Sequence, residues 1–173
     1  MKISMIMGAG LLMLAGWEAV VPNGTAADLG PSEISSADPL TSNGHAATVA
    51  QRGSANDFDG VQAGARQGLT ASQSGVANIA RVVQEGSLNR STLNQDGAAN
   101  ESALIQQGRA NQAVIGQIGE GNRASVLQAG TANQAQVDQQ GNLNAARIEQ
   151  YGRQGSARIT QYGNGGVSSI VQY

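Results

Sequence analysis

The chain has 173 residues, a formal net charge of −2, 40% hydrophobic but only 3% aromatic residues, 24 glycines and no cysteine. A single Phe and a single Trp exclude an ordinary aromatic-rich globular core, and no disulfide framework can take its place. From residue 51 onward nine cations, all Arg, stand against eight acids, a balance that excludes a basic nucleic-acid groove.

The first element is Lys2 followed by an apolar run from Ile3 to Trp17, broken by Glu18. This run falls short of the ~20 residues a membrane span needs and has the shape of a signal peptide. Thr25, Ala26 and Ala27 supply small residues for cleavage, so residues 1–27 are expected to be removed and the mature chain to begin near Asp28. A short buried helix is the competing expectation. Residues 28–50 read as a flexible leader, with Pro31, Pro39, several Ser and the acids Asp28, Glu33 and Asp38 in its first half. Its second half, Leu40 to Ala50, is a degenerate half-repeat: His45 stands in an Asn slot, Ala47 and Val49 point inward, and the slots of the repeat's Gln and Gly hold neither.

From Gln51 a unit of eleven residues recurs without insertion or deletion, most clearly as Gln128 to Asp138, Q-x-G-x-x-N-x-A-x-V-x. The Gln returns at Gln51, Gln62, Gln73, Gln84, Gln95, Gln106, Gln117, Gln128, Gln139, Gln150, Gln161 and Gln172. The Gly two residues on begins with Gly53 and Gly64 and continues through Gly75, Gly86, Gly97, Gly108, Gly119, Gly130, Gly141, Gly152 and Gly163. The Asn slot is filled by Asn78, Asn89, Asn100, Asn111, Asn122, Asn133 and Asn144, with Gln67 before them and Gly155 and Gly166 after. A fixed period of this kind marks a repeat architecture.

Asn, Ala, Val and the next Gln lie at positions 6, 8, 10 and 12, the period of two that puts side chains on one face of a strand. Position 10 is a large apolar column (Val82, Leu93, Leu104, Ile115, Val126, Val137, Ile148, Ile159, Ile170), and position 8 is a small one, from Ala80 to Ala157. The remaining x-G-x-x is the turn, where Gly supplies conformations that a Cβ forbids. An eleven-residue period also suits a helix, but a Gly in every unit would cost about 1 kcal/mol each there relative to Ala. The expected fold is all-β: a two-sheet β-solenoid of strand–turn–strand coils, each a 22-residue pair of units, with seven-residue strands and four-residue turns. Coils stack at ~4.8 Å. Gln then lies on Gln and Asn on Asn, in columns whose amides bond along the stack and offset the cost of burial.

The pattern Q-x-G-x-x-N-x-A-x-x-x-Q over Gln51 to Gln172 resembles the repeat of the curlins, subunits of bacterial curli amyloid fibres. Gln84 to Arg90 and Ile159 to Gly163 are similar to the minor, nucleating curlin, whereas Val171-Gln172-Tyr173 resembles the end of the major one. The resemblance implies a secreted subunit of a fibre at the cell surface, serving adhesion and biofilm matrix. It implies as partners further copies of the chain, a second curlin, an outer-membrane secretion pore reading the leader, and periplasmic accessory proteins. No cofactor is implied.

Other chemistries find little material. His45 has no second ligand at useful spacing, no Ser/His/Asp set converges, and the Gly-Gly-x-Gly-x-Asp of calcium-binding arrays is absent. A catalytic role is therefore not expected. The alternative is a monomeric secreted solenoid that binds ice or another surface. It would want a flat Thr ladder, and the candidate column runs Thr70, Thr92, Val114, Gln136, Arg158. Position 11 alternates with the 22-residue period: Val61, Val83, Ile105, Leu127, Glu149 and Val171 in one set, Ser72, Asn94, Gly116, Asp138 and Thr160 in the other. The first set, Glu149 apart, is expected to form an outer apolar stripe suited to lateral contact.

Overall fold

A computed structural model describes Lys2–Gly8, Leu12–Met13 and residues 44–173, and every regular element among them is a strand. β1 (Lys2–Gly8) and β2 (Leu12–Met13) come first. The repeats follow as β3 (Ala46–Ser54), β4 (Asp57–Ala65), β5 (Gly68–Val76), β6 (Ile79–Ser87), β7 (Arg90–Ala98) and β8 (Glu101–Arg109). They continue as β9 (Gln112–Glu120), β10 (Arg123–Thr131), β11 (Gln134–Asn142), β12 (Ala145–Arg153), β13 (Ser156–Tyr162) and β14 (Val167–Gln172). Successive strands alternate between two sheets, ordered β14-β12-β10-β8-β6-β4-β1-β2 and β13-β11-β9-β7-β5-β3. Each repeat strand pairs in parallel with its equivalent one coil away, so that Val126 stands beside Leu104 on one side and Ile148 on the other. The expected two-sheet solenoid of 22-residue coils is the fold.

Strand and turn lengths depart from expectation. From β3 to β12 each strand has nine residues, and only positions 5 and 6 of the unit interrupt the ladder. The position-3 Gly stays paired to its equivalents while adopting φ between +94° and +133°, so it bends the chain within the ladder rather than ending the strand. The reversal is completed at position 5, whose occupants sit in the left-handed region: Ala77 at +57°, Leu88 at +59°, Leu143 at +57° and Gln154 at +57°. Even there the backbone bonds to the neighbouring coils, Leu88 N–H to Ala65 carbonyl of the preceding coil at 3.0 Å and, just after the turn, Asp57 N–H to Asn78 carbonyl of the next at 2.8 Å. A turn that repeats is itself a ladder, which is how so tight a reversal leaves its backbone groups paired.

The core is thin and lies between the sheets. Leu93, Leu104, Ile115, Val126, Val137 and Ile148 are fully buried, interleaved with Ala80, Ala113, Ala124 and Ala135. Each large side chain stabilises the stack by roughly 1.5–3 kcal/mol. Two successive rungs are inverted: in the second, Leu69 takes the small position and Ala71 the large one, both buried, and in the first the exchange goes further. Phe58 occupies the small position and Gly60 the large one, and a Cβ on Gly60 would stand 2.8 Å from Phe58 Cε1. The ring thus lies in the space its neighbour vacates.

β3 begins inside the degenerate half-repeat, with Ala47 and Val49 packed against the core. His45 is half-buried, its ring nitrogens without partners among the described residues. β1 pairs in parallel with β4, Lys2 beside Asp57 through Gly8 beside Ala63, and so covers the first edge of the eight-stranded sheet. The rest of the expected signal peptide and most of the expected leader lie outside the described residues.

Candidate functional site: amide ladders and stack ends

Position 12 points inward beside the apolar column, so each Gln is carried into the core by the strand period itself. Gln84, Gln95, Gln106, Gln117, Gln128 and Gln150 are entirely buried. The Nε2 of each donates to the Oε1 of the Gln one coil further on, an unbroken run from Gln51 and Gln62 to Gln161 and Gln172 at 2.6–2.9 Å. The second N–H reaches a backbone carbonyl, as from Gln106 to Arg90 O at 3.1 Å. Leaving such an amide unpaired would cost about 1–3 kcal/mol. Buried Ser102 joins the ladder through Oγ, which donates to Gln117 Oε1 at 2.7 Å.

The Asn columns work differently. Each Oδ1 accepts the backbone N–H of the Asn one coil on, as from Asn122 to Asn100 and from Asn133 to Asn111, both at 3.1 Å. Nδ2 ties down the turn glycine of the next coil, from Asn100 to Gly119 O at 2.9 Å and from Asn122 to Gly141 O at 2.7 Å. Amide-to-amide bonds add to this only in the column of Asn56, Asn78, Asn100, Asn122 and Asn144, at 3.1–3.2 Å. Among the described residues the column of Asn89, Asn111 and Asn133 has none. Gly155 and Gly166 complete the last rung by donating their backbone N–H to Asn133 and Asn144 Oδ1, both at 2.9 Å, and carry no side-chain amide to pass on. Asn is thus the residue that locks the turn, a role the period alone does not reveal.

The glycine column has two reasons to be glycine. Beside its positive φ, a Cβ on Gly75, Gly86, Gly97, Gly119, Gly130 or Gly141 would stand 1.9–2.0 Å from the carbonyl oxygen of the glycine one coil on, and on Gly108 2.1 Å. At Gly163 nothing lies within 4 Å, because no described coil follows.

The two ends of the stack are chemically unlike. At the first, Gln51 Oε1 and Gln62 Oε1 are buried with no donor among the described residues. At the other, among the described residues, Gln172 Nε2 donates only to Ser156 O, at 3.0 Å, and Gln161 Nε2 to Ala145 O and Ser168 Oγ. Among the described residues one end therefore lacks donors and the other holds donors with no described rung beyond them.

On the outer face of the eight-stranded sheet, Val61, Val83, Ile105 and Leu127 form one line in register, which passes through Glu149 to Val171. Ile105 and Val171 are 40% and 47% exposed. The other set, from Ser72 to Thr160, lies on the six-stranded sheet.

A stack of flat parallel coils with continuous buried amide ladders defines the molecule as a structural repeat protein of the cross-β solenoid class. The family model described as the curlin associated repeat matches residues 68–97, 97–130 and 130–163. The chain belongs to the curlin family and is a curli-type structural subunit. No match was found among curated proteins.

Proposed function

We propose that the chain is a self-assembling subunit of an extracellular curli-type amyloid fibre, growing end to end by strand addition and serving adhesion and the biofilm matrix. The observation that carries this reading is the pair of buried, donorless Oε1 atoms of Gln51 and Gln62 opposite the donors of Gln161 and Gln172. A second copy displaced by six coils meets the first in the repeat's own register. Gln161 then donates to the incoming Gln51 and Gln172 to the incoming Gln62. Ile159 lies on Val49, Ala157 on Ala47 and Gly163 on Gly53, the size order found inside each chain. β1 occupies the edge of β4 that this docking requires. It belongs to the segment expected to be lost on export, so assembly follows processing. The leader is the segment through which a secretion pore and accessory proteins act, and a second curlin docks through the same ladders.

The test is the chain beginning at Asp28, incubated at micromolar concentration. Dye-binding fibres with reflections at about 4.7 and 10 Å are expected. A chain that stays monomeric for days overturns the reading.

A further inference from the structure

We propose that one long edge of the solenoid is a docking surface for a linear acidic polysaccharide. At the last ladder position of the eight-stranded sheet, the residues in successive register are Ala65, Ser87, Arg109, Thr131 and Arg153. Arg66 follows Ala65 in the turn. Guanidinium groups thus stand on the first, third and fifth coils, and hydroxyls on the two between. At ~4.8 Å per rung the cations recur about every 9.6 Å.

Arg66, Arg109 and Arg153 are exposed. The ion pairs among the described residues, Arg123–Glu101, Arg147–Glu149 and Arg158–Asp138, involve none of them. Arg90, which opens β7, adds a fourth cation to this edge. Its one acid, Glu85, already accepts from Gln107 Nε2 at 3.1 Å. The same position along the opposite edge reads Ser54, Val76, Ala98, Glu120, Asn142 and Asn164, without a cation. The near-neutral array therefore hides a cation row on one side.

A guanidinium fork binds a carboxylate through two parallel hydrogen bonds. Discrete cations separated by hydroxyls match a polymer whose carboxylates are themselves separated by sugar hydroxyls. Duplex DNA, with about one charge per 1.7 Å, would leave most phosphates facing no cation. Tyr151, two residues before Arg153 on the same strand face, stacks on Tyr173 with ring centroids 5.6 Å apart. The rings offer apolar surface to sugar C–H groups at the same edge. The row exists within a single chain. Its continuation along a fibre, where the next Arg66 would fall two coils beyond Arg153, rests on the function proposed above.

The experiment measures binding of a polyuronate, its carboxyl-reduced form and duplex DNA to the immobilised full chain, with circular dichroism reporting β-structure in each variant. The triple change Arg66→Ser, Arg109→Ser, Arg153→Ser should weaken polyuronate binding on the order of tenfold, three exposed charge contacts each contributing a small factor. The matched triple Arg52→Ser, Arg81→Ser, Arg123→Ser should change it less than about twofold, and replacing the row by Lys should retain most of it. Equal losses in the two Ser triples, equal binding of the carboxyl-reduced polymer, or DNA binding that depends on the row as strongly would each overturn the proposal. If the Ser triple loses its β-structure, the carboxyl-reduced polymer on the unmodified chain decides. Because soluble chain binds as well as fibre, failure here leaves the assembly reading standing, and failure to assemble leaves this one testable.

Discussion

Substituting Gly163 by Ala separates the fold of one chain from its docking to the next. At Gly108, φ is +111° and an added Cβ would meet Gly130 O at 2.1 Å; at Gly163, φ is +98° and nothing lies within 4 Å. Both substitutions force a side chain into a backbone region nearly closed to it, at about 1–3 kcal/mol. Gly108→Ala must also push neighbouring coils apart by about 1 Å, stretching ladder bonds beyond useful length. Losing two of them at about 1 kcal/mol each brings its total to roughly 3–5 kcal/mol. Gly163→Ala carries only the torsional cost in an isolated chain. In a fibre it would confront Gly53 of the incoming copy as Gly108 confronts Gly130. The torsional cost is common to free and docked states and cancels, so about 2 kcal/mol of docking energy is lost. The concentration of soluble chain left at the assembly plateau should then rise about thirtyfold. Sedimentation at plateau and dye-binding kinetics measure it. A Gly163→Ala plateau within about twofold of the unmodified chain would refute head-to-tail docking in this register.

Three further outcomes are expected. Asn111→Asp and Gln117→Glu place a carboxyl inside a buried ladder. Burial raises its pKa above the ordinary value near 4, so stability is present at low pH and lost as pH rises; assembly should be slowed strongly at pH 7 and less at pH 4, and equal rates at both would count against buried columns. Phe58→Ala alone should destabilise by roughly 3–5 kcal/mol, and Gly60→Leu alone should clash with the ring; the double variant should recover some of both losses in denaturant unfolding, an interaction that additive singles would disprove. Changing Ile105 and Leu127 together to Lys should leave elongation intact while abolishing lateral bundling seen by electron microscopy, whereas Asn94 and Gly116 changed to Lys should leave both intact.

The eleven-residue period made most of the fold legible. It shows the inward positions, the large and small columns, the Gln ladders and the 22-residue coil. The turn was less legible because its most constrained position carries no compositional mark. Position 5 is left-handed at about 1–2 kcal/mol for a residue with a Cβ, yet it holds Ala77, Leu88, Leu143 and Gln154, and Gly at Gly44, Gly121 and Gly165. Tertiary pairing with the coils on either side overrides local preference there. The reach of the strands through Gly was hidden for the same reason, since a glycine at φ above +90° reads as punctuation until its neighbours one coil away are known. The Phe58–Gly60 exchange looks like two departures from pattern in sequence and becomes one compensated rung only in three dimensions. The Arg row escapes an eleven-residue alignment, which mixes the two edges of the coil.

Building each coil from a pair of units gives the chain two different tolerances to change in length. Removing a whole coil would shorten the stack and leave every later strand in its own sheet. Removing a single unit would leave Gln on Gln and Gly on Gly, so the interior would close as before, but every later strand would change sheets. The line through Ile105 and Leu127 would then break onto the opposite face, and Arg153 would move to the edge that holds Glu120. The interior therefore counts in elevens and the surface in twenty-twos. Gains or losses of an odd number of units would be silent in the core and visible only in what the outer faces touch.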